Sequence, residues 1–303
     1  MNSKIRGSIC GILAAISYGT NPLGALGLQK AGITTGSILF YRFAIALLFL
    51  GGLLLIRKVS LAVSLKELSI MALLGILFSI SSLGLFLSFN YMEAGIASTI
   101  LFVYPVIVAV LMSIFFKEKA TLTTIVSILL SLGGIALLYQ GDGGENLSLI
   151  GIMFVLLSST TYAVYIIITN KMPLALSPVK ITFYSLIFAT LTVVAYSLTA
   201  PERHIQWLTS LAEWGYAVFL AVVPTVISLI LITIAAKEVG STSTAIMGAL
   251  EPLTAVLIGV LLFGERVTLK LAIGIVLIMG AVLLIIIGNV RTSRKKKYPV
   301  EVK

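Results

Sequence analysis

The chain has 303 residues, of which 59% are hydrophobic and only 11% are charged, and its mean hydropathy is +1.14. A soluble domain carries about 25% charged residues, so this composition excludes a soluble globular protein. The net charge of +10 raises the question of nucleic-acid binding. The placement of the basic residues in short segments between apolar runs argues against it.

Apolar runs long enough to cross a hydrocarbon core, about 20 residues, recur from the N-terminus to residue 290. Two of them are each interrupted by one charged residue, Arg42 and Glu251. The first run is longer than the 7–15 residues of a signal-peptide core, so we interpret it as an uncleaved span. We predict an all-α membrane protein with ten transmembrane helices, at residues 7–28, 35–56, 68–89, 94–116, 121–140, 149–169, 180–200, 213–235, 240–262 and 268–289.

The basic residues divide unevenly between the two sides of this predicted topology. With the N-terminus inside, the inner segments hold 16 Lys and Arg residues and the outer loops hold 4. The positive-inside rule therefore predicts a multi-pass protein of the cell inner (plasma) membrane with both termini in the cytoplasm. The basic tail, residues 291–303, is expected to contact anionic membrane lipid rather than nucleic acid.

A sequence repeat links the two ends of the chain. Glu93–Phe102 aligns with Glu238–Met247, and Pro105–Leu122 aligns with Pro252–Leu269. Each half holds five predicted spans, and an odd number of spans inserts the two copies with opposite orientation. Inverted repeats of this kind are typical of secondary transporters.

The repeat also predicts the domain organisation. Residues 1–140 form the first five-helix repeat, 141–148 a Gly-rich linker, 149–290 the second repeat, and 291–303 the tail. Charge counting places Lys117-Glu118-Lys119 inside and its counterpart Gly264-Glu265-Arg266 outside. The same motif on opposite sides is what an inverted repeat requires.

Glu251 and Arg42 are the strongest candidates for a functional site. Glu251 is the only carboxylate placed near the middle of a span, and Arg42 is the only base within one. Polar groups in lipid must face the protein interior or water, and ionisable ones are functional candidates by default. We expect a substrate- or proton-binding pair, with a static structural ion pair as the alternative.

Two prolines occupy equivalent mid-span positions in the repeat, Pro105 and Pro252. Each removes a helix hydrogen bond and crowds the carbonyl four residues earlier, which for Pro252 belongs to Gly248. Matched helix breaks favour a binding site at the repeat interface, although a simple kink is the alternative. Pro22 and Pro224 have no repeat partner and are interpreted as kinks or hinges.

Neutral polar and aromatic residues within the spans could line a pocket for a small amphipathic solute. The alternatives are interhelical hydrogen bonds or an interfacial aromatic belt. The candidates for cavity-lining or substrate-binding roles, besides Arg42 and Glu251, are Tyr18, Asn21, Tyr104, Tyr162, Tyr165 and Thr225.

No catalytic or metal-binding pattern is present in the sequence. The chain has one cysteine, Cys10, and one histidine, His204, so a cysteine-built metal site within one chain is excluded. Walker A and Gly-x-Ser-x-Gly motifs are absent. We therefore expect no enzyme activity, no metal and no cofactor.

Two segments resemble a known family. Glu251-Pro252 followed by Leu262-Phe263-Gly264-Glu265-Arg266 looks like the C-terminal part of an EamA domain, and Tyr104-Pro105-Val106 followed by Phe116-Lys117-Glu118 resembles the same motif in the first half. Two such domains define ten-span permeases of the drug/metabolite transporter superfamily. The resemblance implies a central cavity between the halves, with the fifth and tenth spans peripheral. Tyr104 replaces a second glutamate, so symmetric use of two carboxylates is not supported.

The inverted repeat predicts a secondary active transporter that works by alternating access, and the family resemblance implies that it exports small metabolites such as amino acids. The expected partners are a small-molecule substrate, membrane lipid and possible coupled protons, for a monomer or homodimer. A drug carrier or a nucleotide-sugar-like carrier is an alternative, but the latter needs a basic cavity, for which only Arg42 qualifies. A non-transporting membrane sensor or assembly subunit is the alternative from another class.

Overall fold

The protein is helical throughout the part that the computed structural model describes, which comprises residues 3–117, 122–139, 147–172, 176–199, 203–248 and 250–297. Within these ranges there is no strand. The helices are α1 (Ser3–Gly19), α2 (Asn21–Lys30), α3 (Thr35–Ile56), α4 (Leu65–Ser88), α5 (Ala94–Leu101), α6 (Tyr104–Phe116), α7 (Leu122–Tyr139), α8 (Leu149–Lys171), α9 (Pro178–Ser197), α10 (Leu211–Ala221), α11 (Ser228–Met247), α12 (Leu250–Phe263) and α13 (Leu269–Lys297).

Seven helical stretches in the described ranges are long and apolar enough to cross a membrane, and three shorter apolar helices accompany them. Together they make a multi-pass membrane protein. Most of the exposed large side chains are apolar, such as Leu48, Phe115 and Leu261, which suits a surface in contact with lipid. Four of the predicted spans are interrupted, the first at Thr20, the fourth after Leu101, the eighth by a π-helical turn and the ninth at Gly248, so the described ranges hold more helices than the ten predicted.

One predicted loop is wrong. Residues 236–239 were expected to separate the eighth and ninth spans, but α11 continues through them to Met247, and the helix boundary lies at Gly248 instead. The segment Ala235-Ala236-Lys237-Glu238 consists of good helix formers and contains no glycine or proline. Glu238, which aligns with the loop residue Glu93, is therefore inside a helix, where it forms an ion pair with Arg6 of α1.

The principal helix contacts join the two halves of the sequence. α1 packs against α11, α4 against α8 and α9, and α5 against α12. Ser81 of α4 and Ser158 of α8 each donate a hydrogen bond to the other's backbone carbonyl, at 3.0 and 2.7 Å. Hydroxyl groups that cross between helices in this way stabilise membrane bundles. The halves thus share one interior.

The last helix of each half pairs with the other: α7 packs mainly against α13 and α6. Small residues allow close approach elsewhere in the bundle. A Cβ atom on Gly7 of α1 would lie 2.7 Å from Cβ of Glu238, and one on Gly84 of α4 would lie 2.7 Å from the carbonyl oxygen of Phe154. Because α7 and α13 pair with each other, the ends of the broken helices meet among the remaining helices.

Candidate functional site

A small cavity with a volume of about 20 Å³ lies where α1, α2, α4, α5, α6 and α12 meet. This volume holds about one water molecule, whereas ligand sites in proteins measure about 300–1,000 Å³, so a solute needs the surrounding helices to move apart. Its wall combines one carboxylate, one amide, two tyrosines and a phenylalanine with small and apolar residues. The lining residues are Tyr18, Gly19, Asn21, Pro22, Leu85, Ser98, Leu101, Phe102, Tyr104, Glu251, Pro252 and Ala255.

Breaks in three spans place these side chains at the cavity. The first span divides at Thr20, and Pro22 lies in the first turn of α2, where its missing N–H costs no helix hydrogen bond. The fourth span divides between Leu101 and Tyr104, just before Pro105. The α11–α12 boundary at Gly248 precedes Pro252. Irregular backbone at membrane depth is tolerated where it lines a cavity.

Glu251 lies in the first turn of α12 and is partly exposed to the cavity. A negative charge there is favoured by the helix dipole. Neither a hydrogen bond nor an ion pair connects its carboxylate to any other side chain in the described ranges. Its backbone carbonyl is closely approached by α1: a Cβ on Gly19 would lie 2.6 Å from it.

Arg42 of α3 is 1% exposed and does not line the cavity. Its Nε donates a 3.0 Å hydrogen bond to the hydroxyl of Thr225, which itself donates to the carbonyl of Leu220 at 2.9 Å. Its guanidinium lies over the ring of Phe86, 5.5 Å from the centroid. One nitrogen, Nη2, has no hydrogen-bond partner. Thr225 and Pro224 belong to a π-helical turn, Val222–Ile227, that joins α10 to α11.

The ion pair considered between Arg42 and Glu251 is not formed in this structure. Tyr18 lies close enough to interact electrostatically with both side chains. The hydroxyl of Thr225 thus takes the place of a carboxylate next to the buried guanidinium. The carboxylate of Glu251 is left facing the cavity.

The tyrosines form a row of aromatic contacts behind the cavity wall. The ring of Tyr104 meets the ring of Tyr162 edge to face with centroids 4.8 Å apart, and Tyr162 stacks on Tyr165 at 5.8 Å. Phe102 adds a second edge-to-face contact to Tyr104 at 5.9 Å. Such pairs stabilise by about 0.5–1.5 kcal/mol beyond burial. Tyr162 and Tyr165 therefore support Tyr104 without lining the cavity themselves.

Asn21 is 4% exposed, and its amide nitrogen donates to the backbone carbonyl of Tyr18 at 2.8 Å. Its carbonyl oxygen Oδ1 is buried and has no hydrogen-bond partner. A buried acceptor without a donor costs about 1–3 kcal/mol. The side chain therefore presents an unused acceptor next to the cavity.

The structure brings together four of the eight polar candidates, Tyr18, Asn21, Tyr104 and Glu251, with Pro252 beside them. The other four lie outside the wall: Arg42, Thr225, Tyr162 and Tyr165. Pro105 and Gly248 lie at helix boundaries rather than on the wall.

Sequence reasoning missed part of the wall. Two of the missed residues had a recognisable signal in the sequence. Ser98 is a hydroxyl residue in an apolar span, and Phe102 lies two residues before the Tyr104-Pro105 break. Leu85, Leu101 and Ala255 carried none, since an apolar cavity residue and an apolar lipid-facing residue look alike in a sequence.

The two helices that begin after the proline-containing breaks, α6 and α12, are both followed by a residue with a positive φ. α6 is followed by Lys117 with φ of 53°, and α12 by the aligned Gly264 with φ of 73°. Left-handed residues commonly end helices. The next residue in the second copy, Glu265, accepts hydrogen bonds from the backbone N–H groups of Ala94 and Gly95 at 2.7 and 3.0 Å, and so caps α5. Glu118, its counterpart, lies outside the described residues.

Partial burial raises the pKa of Glu265 above its usual value, and the N–H groups of Gly95 and Ala94 oppose that shift. The carboxyl group therefore gives up its proton less readily in the folded protein than in the unfolded chain. In the described ranges, no three His, Cys, Asp or Glu side chains form a group that could hold a metal ion.

The model of the EamA-like transporter family matches residues 5–140 and again residues 149–287. The chain belongs to the EamA-like transporter family. Relatives agree: an uncharacterized transporter from Archaeoglobus fulgidus is 29% identical over 63% of this chain and 67% of its own length, and one from Clostridium kluyveri is 25% identical over 96% of both. The uncharacterized transporter YcbK from Bacillus subtilis is 25% identical over 72% of each chain.

A solved structure also resembles this EamA-like protein in fold. A crystal structure superposes with a TM-score of 0.68 at 16% identity, covering 94% of this chain and 98% of the other. This likeness concerns the fold alone. The family and the relatives make the protein a membrane transporter of the drug/metabolite transporter superfamily.

Proposed function

We propose that this protein is a secondary active transporter of the cell inner membrane that exports small metabolites, such as amino acids, by alternating access through the cavity around Glu251. The observation that carries the proposal is the meeting of broken helices at a small cavity whose only carboxylate has no side-chain partner in the described ranges. Transporters place substrate and ion sites at such breaks.

Glu251 is proposed to couple solute movement to protons. A buried carboxyl group favours its neutral form, and an approaching cation favours the ionised form. Tyr18, Tyr104 and Glu251 line the same cavity, and Tyr18 interacts electrostatically with both Glu251 and Arg42. A conformational change that alters the distance between Glu251 and Arg42 would bind or release a proton at the carboxylate.

The topology belongs to the same proposal. The distribution of basic residues supports a cytoplasmic position for both termini, and the two halves are proposed to be inverted copies that exchange conformations during transport. A reporter that is active only in the cytoplasm should be active when fused after Lys303. Activity of a reporter that works only outside the membrane would contradict both the orientation and the inversion.

The cavity wall does not favour a nucleotide-sugar carrier. Such a substrate needs basic side chains to meet its phosphates, and none of the twelve lining residues is basic. The aromatic side chains fit a small amphipathic metabolite better.

Counterflow tests the proposed activity directly. Purified protein is placed in liposomes loaded with an unlabelled metabolite, and uptake of the same labelled metabolite is followed for a panel that includes amino acids. We expect saturable uptake of at least one solute above that of protein-free liposomes. Uptake that matches protein-free liposomes for the whole panel would refute the transport function.

A further inference from the structure

We propose that a second cavity, bounded by the α2–α3 turn, the C-terminal ends of α4 and α9 and the segment around Arg203, binds the carboxylate group of a small solute. This outer cavity shares no lining residue with the cavity around Glu251. Along α2, its lining residue Gln29 lies about 12 Å beyond Asn21. In the proposed topology it opens on the outer side of the membrane. The inference goes beyond the proposed function, since transport through the cavity around Glu251 neither requires nor excludes a second site.

The outer cavity is large, and hydrogen bonds between distant segments fix its wall. Its volume of about 290 Å³ is close to the lower limit of ligand sites in proteins, about 300 Å³. Gln206 holds the α2–α3 turn: its Oε1 accepts from the N–H of Thr34 at 2.6 Å, and its Nε2 donates to the carbonyl of Gly32 at 3.2 Å. Gln29 Nε2 donates to the carbonyl of Phe86 at 3.0 Å and ties α2 to α4. The cavity can therefore take a small organic solute without movement of the helices.

The N-terminal turn of α3 supplies hydrogen-bond donors that lack acceptors. Thr34 caps this helix, and its hydroxyl accepts from the N–H of Ser37. The N–H groups of Thr35 and Gly36, two residues that line the outer cavity, have no hydrogen-bond partner in the described ranges. Free N–H groups at a helix N-terminus and the helix dipole together favour an anion.

Thr35 adds a buried hydroxyl group that is independent of the backbone donors. The residue is 7% exposed and lines the outer cavity, and within the described ranges its hydroxyl forms no hydrogen bond. Buried polar groups in proteins are normally hydrogen-bonded. Because its neighbours at the helix end are N–H donors, one anionic acceptor in the cavity would satisfy the hydroxyl and the two N–H groups together.

Arg203 supplies a full positive charge. Its guanidinium lies over the ring of Tyr196, 4.8 Å from the centroid, and its Nη1 donates to the hydroxyl of Thr199 at 3.0 Å. No carboxylate in the described ranges forms an ion pair with Arg203, and none of the described lining residues is acidic. Most of the five N–H donors of the guanidinium thus remain available, in the planar arrangement that binds carboxylates through two parallel hydrogen bonds.

The balance of charge on the wall selects a singly charged oxyanion. One guanidinium and one helix N-terminus, which is equivalent to roughly half an elementary charge, match a carboxylate better than a doubly charged phosphate. Ile33 and Leu87 on the same wall can contact the apolar part of the solute. A phosphate group, free or in a lipid headgroup, has similar oxygen acceptors and is the competing occupant.

Two compounds of the same shape test the charge: 4-methylpentanoate is an anion, and 4-methylpentanamide is neutral. Their dissociation constants are measured by ligand-detected NMR titration of the full-length purified protein in detergent. We expect the carboxylate to bind at least about 10-fold more tightly than the amide. Inorganic phosphate and dihexanoyl phosphatidylglycerol are then added as competitors, and neither should displace the carboxylate at an equal concentration.

Matched variants locate the effect. Arg203→Gln should weaken binding of the carboxylate about 10-fold and leave binding of the amide unchanged. Thr35→Val keeps the shape, removes the hydroxyl, and should weaken binding of the carboxylate several-fold. Arg57→Gln removes an exposed positive charge at the opposite end of α3. It should have no effect, and it controls for a non-specific change in net charge.

Several results would overturn the carboxylate site. These are equal binding of the two compounds, no saturable binding of the carboxylate, wild-type affinity in Arg203→Gln or Thr35→Val, or the same loss in Arg57→Gln as in Arg203→Gln. Displacement by phosphate or by the phosphatidylglycerol would make a phosphate group the occupant instead. If the titration fails and counterflow succeeds, the transport function stands without the outer site. If the titration succeeds and no solute shows counterflow, the carboxylate site stands and the transport function fails.

Discussion

The helix breaks before Tyr104-Pro105 and before Glu251-Pro252 use the same backbone device with different chemistry. Both breaks precede a proline, both open onto one cavity, and the following helices end at Lys117 and Gly264 in left-handed conformations. The Tyr104 ring packs against Tyr162 and Phe102, whereas the carboxylate of Glu251 has no partner among the described side chains.

This difference suggests a division of labour between the halves. The repeated prolines break the helices, and a helix break needs no charged residue. The ionisable group occurs in only one copy, because a second carboxylate at Tyr104 would face the first across a small cavity and repel it. The first-half break would then shape the site, and the second-half break would carry the charge.

Substituting the polar side chain at each break separately gives the largest expected effect on transport. Glu251→Gln should abolish transport driven by a pH gradient, a loss of at least about 100-fold, because no other cavity side chain can take up a proton at neutral pH. Tyr104→Phe keeps the ring contacts and removes only a hydroxyl, so flux should stay within a few-fold of the wild type. Uptake by proteoliposomes under an imposed pH gradient measures both.

Folding must be checked before that comparison is interpreted. Both variants should elute from size-exclusion chromatography as the wild type does. Flux of Glu251→Gln that still depends on the pH gradient would leave Glu251 as a structural residue and end the proposed division of labour.

The second prediction concerns how tightly the charged break is packed. A Cβ on Gly19 would lie 2.6 Å from the carbonyl oxygen of Glu251 and 2.6 Å from Cβ of Thr254, so Gly19→Ala must push α1 away from α12. Overpacking of this kind costs about 1–3 kcal/mol. We expect a lower thermal midpoint in detergent and impaired transport.

Gly133→Ala is the matched control, since a Cβ there meets no atom within 4 Å. It should leave the midpoint unchanged or slightly higher. Equal midpoints for Gly19→Ala and the wild type would show that α1 and α12 are not in close contact in the working protein.

Substitutions at the two matched helix ends should change stability by a smaller amount and in opposite directions. Gly264 tolerates a positive φ without a Cβ, while Lys117 adopts it at a cost of about 1–2 kcal/mol. Gly264→Ala should therefore destabilise the protein by about 1 kcal/mol, and Lys117→Gly should stabilise it by a similar or smaller amount. Shifts of the same sign in thermal unfolding would contradict the equivalence of the two ends.

The sequence predicts the apolar spans and the matched prolines because length, hydropathy and proline chemistry act locally. It does not predict that α11 continues through residues 236–239, since short polar segments between spans can be helical or not depending on their packing. It also does not predict that Arg42 bonds to Thr225 and leaves Glu251 unpaired. The rotation of each helix about its axis depends on contacts between residues far apart in the sequence, such as Gly19 and Thr254. Such contacts cannot be predicted from the local sequence.

The loop after α12 gives the smallest expected effect. Because partial burial raises the pKa of Glu265 in the folded state, its ionised form costs the folded protein more than its protonated form. The wild type should therefore lose stability relative to Glu265→Gln as the pH rises from about 4.3, the ordinary pKa of glutamate, through the raised value.

Thermal midpoints of the two proteins across this pH range measure the slope rather than the absolute stability. Loss of the hydrogen bonds that cap α5 should lower the stability of Glu265→Gln by the same amount at every pH. A wild type that gains stability over Glu265→Gln as the pH rises would show that the hydrogen bonds from Ala94 and Gly95 outweigh burial.

The central claim, that Glu251 exchanges a proton for the solute, is tested most directly by proton release on binding. The solute with the strongest counterflow is added to purified protein in weakly buffered detergent solution, and the released protons are counted across a range of pH. The account predicts up to about one proton per bound solute for the wild type and Tyr104→Phe, and none for Glu251→Gln. The same proton release from Glu251→Gln as from the wild type would contradict it.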